Sequence, residues 1–132
     1  MKKILVVTLI LLLTGCLGET GKGYITKQCE KTENINGYKK ETEIIIKSKQ
    51  GNIEEIMIKE IYDKHMDIES IKNSKKSEKN SYKNIEIKIN DNIFTYKIDP
   101  NKITVEEQEK YNIKKEQHKQ IKYYEEQGYT CK

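Results

Sequence analysis

An α+β fold, with an antiparallel sheet of about five strands in the order β-β-β-α-β-β-α packed against a C-terminal helix, is what this sequence predicts. Three observations carry that expectation. Isoleucines alternate with charged residues on both sides of short turn signals, an Asn36-Gly37 pair stands between two such runs, and the last thirty residues change to helical spacing. Strands paired with their neighbours and helices gathered on one face make an α+β domain.

The first three strands are expected between Tyr24 and Tyr62. Asn36-Gly37 suits a two-residue type I′ turn because both residue types tolerate positive φ. Pairing across it sets Cys29 against Ile44, Thr32 against Glu41 and Glu33 against Lys40. Gln50-Gly51-Asn52 then reads as a three-residue loop, with Ile46 meeting Ile56, Ile44 meeting Ile58, Lys47 meeting Glu55 and Glu43 meeting Lys59. One face is thereby isoleucine and the other carries opposite charges. A slip of one residue would turn the isoleucines to water, so the register is well specified.

Asp63 to Ser81 reads as a short helix capped by Asp67 and carrying Ile68 and Ile71, followed by a loop, because Lys72 to Ser81 has little to bury. A second hairpin spans Tyr82 to Asp99 around Asp91-Asn92. It pairs Ile89 with Phe94, Ile87 with Tyr96, Ile85 with Ile98 and Glu86 with Lys97. Pro100 ends the sheet, since it has no N–H for a ladder. Thr104-Val-Glu-Glu107 is a capping box opening a helix that breaks near Asn112. Lys114 to Gln127 is the C-terminal helix, its buried stripe expected at Gln117, His118, Ile121 and Tyr124, with Gly128 as its stop.

Ahead of this domain stand Lys2 and Lys3, then an apolar run from Ile4 to Leu13, then Leu13-Thr14-Gly15-Cys16. The run has the length of a signal-peptide core and is too short for a membrane-spanning helix, which needs about twenty apolar residues. The four residues resemble the lipobox of bacterial lipoproteins. The resemblance implies cleavage between Gly15 and Cys16 and a diacylglycerol thioether on the Cys16 sulfur. Residues 1–15 are then the signal peptide, 16–23 the lipidated cysteine and a glycine-rich flexible tether, and 24–132 one extracytoplasmic domain. The expected location is the outer face of a cell membrane, held by acyl chains that each contribute about 0.8 kcal/mol per buried CH2.

Of the chain's 132 residues 35% are charged, and every basic residue is lysine. Without arginine, bidentate gripping of phosphates or carboxylates is excluded. Loss of Lys2 and Lys3 lowers the formal charge from +4 to +2. Acidic and basic residues are also interspersed, so no basic block points to nucleic acid. Cys29 and Cys131 form an even pair in an exported domain and read as a disulfide. A metal site would need more ligands than His65 and His118 supply, and a thioredoxin-like redox pair would be Cys-x-x-Cys.

No catalytic constellation emerges. His65 and His118 lie in polar surroundings, Glu54-Glu55, Glu106-Glu107 and Glu125-Glu126 read as solvated faces, and no Gly-x-Ser-x-Gly is present. The expectation is therefore binding rather than catalysis, without a cofactor or metal. Tyr123, Tyr124 and Tyr129 are the candidate surface for a cell-envelope protein or polymer. The alternative is a solute- or inhibitor-binding pocket between sheet and helix, lined by Tyr96 and Tyr124.

The hairpin Glu41 to Tyr62, the pattern Tyr82-x-x-Ile85-x-Ile87 and the closing Ile121-Lys-Tyr-Tyr-Glu-Glu-Gln-Gly-Tyr129 together resemble the small YehR-like lipoproteins of low-GC bacteria, over most of residues 24 to 129. That resemblance implies a strand meander and a terminal helix ending in Glu-x-x-Gly-Tyr/Phe. It implies no activity, cofactor or site residue.

Overall fold

The computed structural model describes residues 23–132; the expected signal peptide, the expected lipidation site at Cys16 and all of the expected tether but Gly23 lie outside them. Six strands form one antiparallel sheet: β1 (Tyr24–Ile35), β2 (Tyr38–Lys49), β3 (Asn52–Tyr62), β4 (Glu86–Asn90), β5 (Ile93–Ile98) and β6 (Thr130–Cys131). Their spatial order is β4-β5-β3-β2-β1-β6. Three helices complete the α+β fold: α1 (Ile68–Ser81), α2 (Val105–Lys110) and α3 (Gln117–Glu126).

Both hairpin registers follow the isoleucine alternation. Cys29 pairs with Ile44 and Glu33 with Lys40. Ile44 pairs with Ile58, Ile46 with Ile56 and Lys47 with Glu55. In the second hairpin Ile87 meets Tyr96 and Ile89 meets Phe94. Asn36 and Gly37 both have positive φ, at 53° and 88°, as a type I′ turn demands.

The second turn departs from expectation. It contains two residues, Gln50 and Gly51, with Lys49 opposite Asn52, and the extra residue is absorbed one step later between Lys47 and Ser48 as a bulge at Glu54. The reason is burial. Ile53 and Ile56 are both in the core at 2% and 0% exposure, yet three residues apart they would face opposite sides of a regular strand. The bulge turns both inward. The 115–117 segment then docks on this turn, with Ile53 N–H donating to the Lys115 carbonyl at 2.8 Å.

Helix α1 is longer than expected, continuing through Ser81. Asp67 does cap it, accepting from the Ser70 N–H. Ile68 and Ile71 pack on the core, and the same stripe continues through Lys75 and Glu78, which face the sheet although hydropathy assigns them to water. Thr104 and Glu107 form the full capping box of α2. The buried Glu107 carboxylate also accepts from the backbone and side chain of Asn84, at 3.0 and 2.9 Å, which fastens α2 to the start of β4. Asn112 breaks the helix in the left-handed region at φ 53°. Buried Gln120 satisfies the break, accepting from Lys114 N–H and donating to the Asn112 carbonyl.

In α3 the inward stripe is Gln120 and Tyr124 with Ile121 beside them, and His118 points to solvent. The expected stripe ran through His118 because Ile121 and Tyr124 alone leave its position open by one residue; the amide bonds of Gln120 settle the rotation. Gly128, at φ 95°, ends the helix as expected. Lys31 of β1 donates to the Gln127 carbonyl at 2.7 Å, placing a cation at the negative end of α3.

The chain closes with β6, which adds a sixth strand to the sheet. Cys29 and Cys131 are direct partners across β1 and β6 and are joined by a disulfide. Gln28 and Lys132 exchange both backbone hydrogen bonds, so the cysteines occupy the neighbouring non-hydrogen-bonded position, where side chains lie closest. The bond closes a loop of 102 residues. In the chain-entropy treatment a loop of that length contributes about 4.7 kcal/mol. Replacing Cys131→Ser is expected to lower the unfolding free energy in urea by roughly 3 to 5 kcal/mol. An unchanged midpoint would mean that the bond does not hold the domain.

Candidate functional site

The covered face of the sheet is built in transverse rows. Ile46, Ile56 and Ile98 make one, Cys29, Ile44, Ile58, Tyr96 and Ile87 the next, and Lys31, Thr42, Glu60, Phe94 and Ile89 the third; Glu33, Lys40 and Tyr62 follow. The face therefore passes from apolar to charged along the strands. Over the charged half lies a cleft of about 330 Å³ whose floor includes Thr42, Ile58, Glu60 and Tyr96. Lys75 and Glu78 of α1 wall one side, Tyr123 and Tyr124 of α3 another, and Tyr111 and Tyr129 complete it. The volume is within the range of small-molecule sites.

At its base is an ion triad. Glu60 lies 2.9 Å from Lys40 Nζ and 2.8 Å from Lys75 Nζ, and the three side chains are only 13% to 16% exposed. Burial pushes the Glu60 carboxyl upward, but the Lys75 and Lys40 charges outweigh it and hold the carboxyl below the usual carboxylate range. Burial likewise works against the Lys40 ammonium, and Glu60 overcomes it to raise the lysine above its ordinary value. Lys75 also donates to the Tyr96 hydroxyl. Burial, followed by the Glu60 and Glu78 carboxylates, drives the Tyr96 phenol far up, so it stays protonated. Tyr111 is raised by burial and then by Glu78.

The expected tyrosines do come together. Tyr124 stacks obliquely between Tyr123 and Tyr129, with ring centres 5.5 and 5.3 Å away. They form the cleft's wall instead of an open surface: Tyr124 is 4% exposed and the other two are half-buried. Burial, then Tyr129 and Tyr123, raises the Tyr124 phenol. Tyr96 and Tyr124 thus both belong to the core and both line the cleft.

The histidines lie elsewhere. His118 is 76% exposed at 3.5 Å from Glu116. His65 is 84% exposed and hydrogen-bonded to Asp63, whose carboxyl is held below its usual range by the backbone and ring N–H groups of His65. Ser70 shares a shallow depression with His65, but among the described residues no hydrogen bond joins either histidine to a serine. Among those residues, too, no group of three or more His, Cys, Asp or Glu side chains is placed to hold a metal ion, and no helix is long and apolar enough to cross a membrane.

Sequence reasoning missed Glu60, Lys75, Glu78, Thr42 and Tyr111. The signal was the period of two: Glu33, Lys40, Thr42 and Glu60 stand an even number of residues from Cys29, Ile44 and Ile58 and so share their face. No protein-family model, curated protein or solved structure matches this chain.

Replacing Glu60→Gln leaves the largely buried Lys75 ammonium without a counter-ion and Lys40 with only Glu33 at 4.0 Å, and is expected to destabilise the fold by about 3 kcal/mol or more at neutral pH. Because the carboxyl titrates below its ordinary value of 4.5, its contribution is complete above that pH and is lost as pH falls through the native value. The variant's stability should therefore fall less than the wild type's between neutral pH and strong acid. Parallel pH profiles in urea unfolding would contradict this.

Proposed function

We propose that this chain is an exported, lipid-anchored binding module, held by Cys16 at the outer face of a cell membrane and taking a small solute in the cleft between sheet and helices. One observation carries the binding reading. Among the described residues five buried side-chain atoms lack a hydrogen-bond partner, and four of them, Thr42 Oγ1, Glu78 Oε2, the Tyr111 hydroxyl and the Tyr124 hydroxyl, belong to residues lining this one cleft. A buried polar group left unmatched costs about 1–3 kcal/mol. The Tyr111 hydroxyl faces Glu78 and Thr42 faces the Tyr129 hydroxyl, so a bound polar molecule would meet the Tyr124 hydroxyl and the lone pairs these loose contacts leave free.

The anchor rests on the lipobox resemblance of Leu13 to Cys16 and on the two lysines and apolar run before it. The disulfide agrees with an oxidising compartment. The YehR-like resemblance is consistent with such an address and adds no activity. Docking on an envelope protein or polymer through Tyr123, Tyr124 and Tyr129 has less support, because the central ring of that trio is turned inward. No catalytic role, cofactor or nucleic acid enters the proposal.

In fractionated cells the wild-type chain is expected in the membrane pellet and a Cys16→Ser variant among soluble exported proteins. The detergent-solubilised full chain, titrated with the low-molecular-weight fraction of envelope extract, should show NMR shift changes centred on Thr42, Tyr111 and Tyr124. Equal fractionation would remove the anchor; shift changes confined to the uncovered sheet face would remove the cleft.

A further inference from the structure

The cleft region pairs three ammonium groups with carboxylates, and two of them also lie over an aromatic face. Lys31 Nζ is 3.4 Å from the Glu33 carboxylate and 5.4 Å from the centre of the Tyr129 ring. Lys40 Nζ is 2.9 Å from Glu60 and 5.1 Å from the Tyr62 ring. Lys75 Nζ is 2.8 Å from Glu60 and donates to the Tyr96 hydroxyl at the edge of that ring. A carboxylate and an aromatic face together replace much of the water an ammonium group loses, and their attraction strengthens as the surroundings dry out.

A third carboxylate stands in the same cleft with no lysine on it. Glu78 makes no ion pair among the described residues, and its Oε2 is buried without a hydrogen-bond partner. Lys75, one turn earlier on α1, is committed to Glu60. Glu78 lies close enough to the Tyr96 and Tyr111 phenols to raise both. The Tyr111 ring is fixed edge-on by Tyr82 and Tyr96, at 5.7 and 5.9 Å between centres. Phenol hydroxyls approach this carboxylate, but among the described residues no cation balances its charge. An ionised carboxylate only accepts hydrogen bonds, so a guest that satisfies it must bring N–H or O–H donors, and one that also balances its charge must be a cation.

Building on the reading of the cleft as a binding site, we infer that its ligand is a small molecule bearing a primary ammonium group, which sits on Glu78 beside the Tyr111 hydroxyl. The Tyr124 and Thr42 hydroxyls, both within 4% exposure and unpartnered, meet the ligand's remaining polar groups. An anionic ligand would face the Glu78 charge, and a neutral polyol would leave that charge unbalanced.

The test is a calorimetric and NMR titration of the detergent-solubilised full chain, slightly below neutral pH, with glucosamine, putrescine and N-acetylglucosamine. Both amines should bind in the cleft, and N-acetylglucosamine, whose nitrogen is a neutral amide, should bind at least about tenfold more weakly than glucosamine. Glu78→Gln should reduce amine affinity about tenfold or more. Tighter binding of glucosamine than of putrescine would assign the ammonium to a sugar, and the reverse to an alkyl amine; each supports the assignment. Equal affinity for glucosamine and N-acetylglucosamine, or undiminished amine binding by folded E78Q, overturns the ammonium assignment and leaves the cleft a binding site. No response in the cleft to any of the three overturns both. The wild-type comparison needs no variant, so a misfolded E78Q does not blunt it.

Discussion

Glu60 decides where the core of this protein ends. It projects from the central strand β3 onto the face that the helices cover, between Thr42 and Phe94, where an isoleucine would have continued the apolar rows. A carboxylate there requires partners, and Lys40 from β2 and Lys75 from α1 supply them. Hydrated or paired charge does not collapse as hydrocarbon does, so α1 rests on the sheet through Ile68 and Ile71 and carries no fully buried residue. The cleft follows from that incomplete closure, and the tyrosines that line it have both an apolar body to pack and a hydroxyl to present.

The opposite half of the covered face closes fully. Ile44, Ile46, Ile56 and Ile98 are at 0% or 1% exposure, each such side chain contributing about 1.5–3 kcal/mol by burial. The disulfide joins this half to the last strand and so fixes the end of α3, while Lys31 bonds to that end from β1. Rigidity is thus concentrated beside the cleft. A binding site assembled from separate helices needs such support if its groups are to hold their positions without the ligand.

Much of the fold was legible in the sequence, because strand register here depends on local turn chemistry and on alternation. Asn36-Gly37 and the isoleucines of β2 and β3 suffice to pair the first three strands, and the capping box and Gly128 bound two helices. What escaped was decided by groups distant in the chain. The length of α1 depends on Lys75 and Glu78 facing Glu60 and the tyrosines, which no hydropathy pattern contains. The bulge at Glu54 follows from burying Ile53 under the 115–117 segment. The two-residue β6 exists because Cys131 meets Cys29. The cleft was half legible: Tyr96 and Tyr124 were expected beside a pocket, but charged residues on a strand's inward positions were read as solvated. Alternation counted strictly from Ile44 and Ile58 would have placed Thr42 and Glu60 within it.

If the triad serves the cleft and not the stability of the fold, replacing it whole should cost nothing. Equilibrium urea unfolding of a K40M/E60L/K75M variant, compared with the wild type at neutral pH, tests that most directly. Well-packed apolar replacements of buried ion networks are often neutral or stabilising by about 1–4 kcal/mol, and an unfolding free energy equal to or above the wild type's is the result this account predicts. A loss of about 3 kcal/mol or more, the size expected when a buried pair is merely broken, would contradict it and make the triad a structural element of the core.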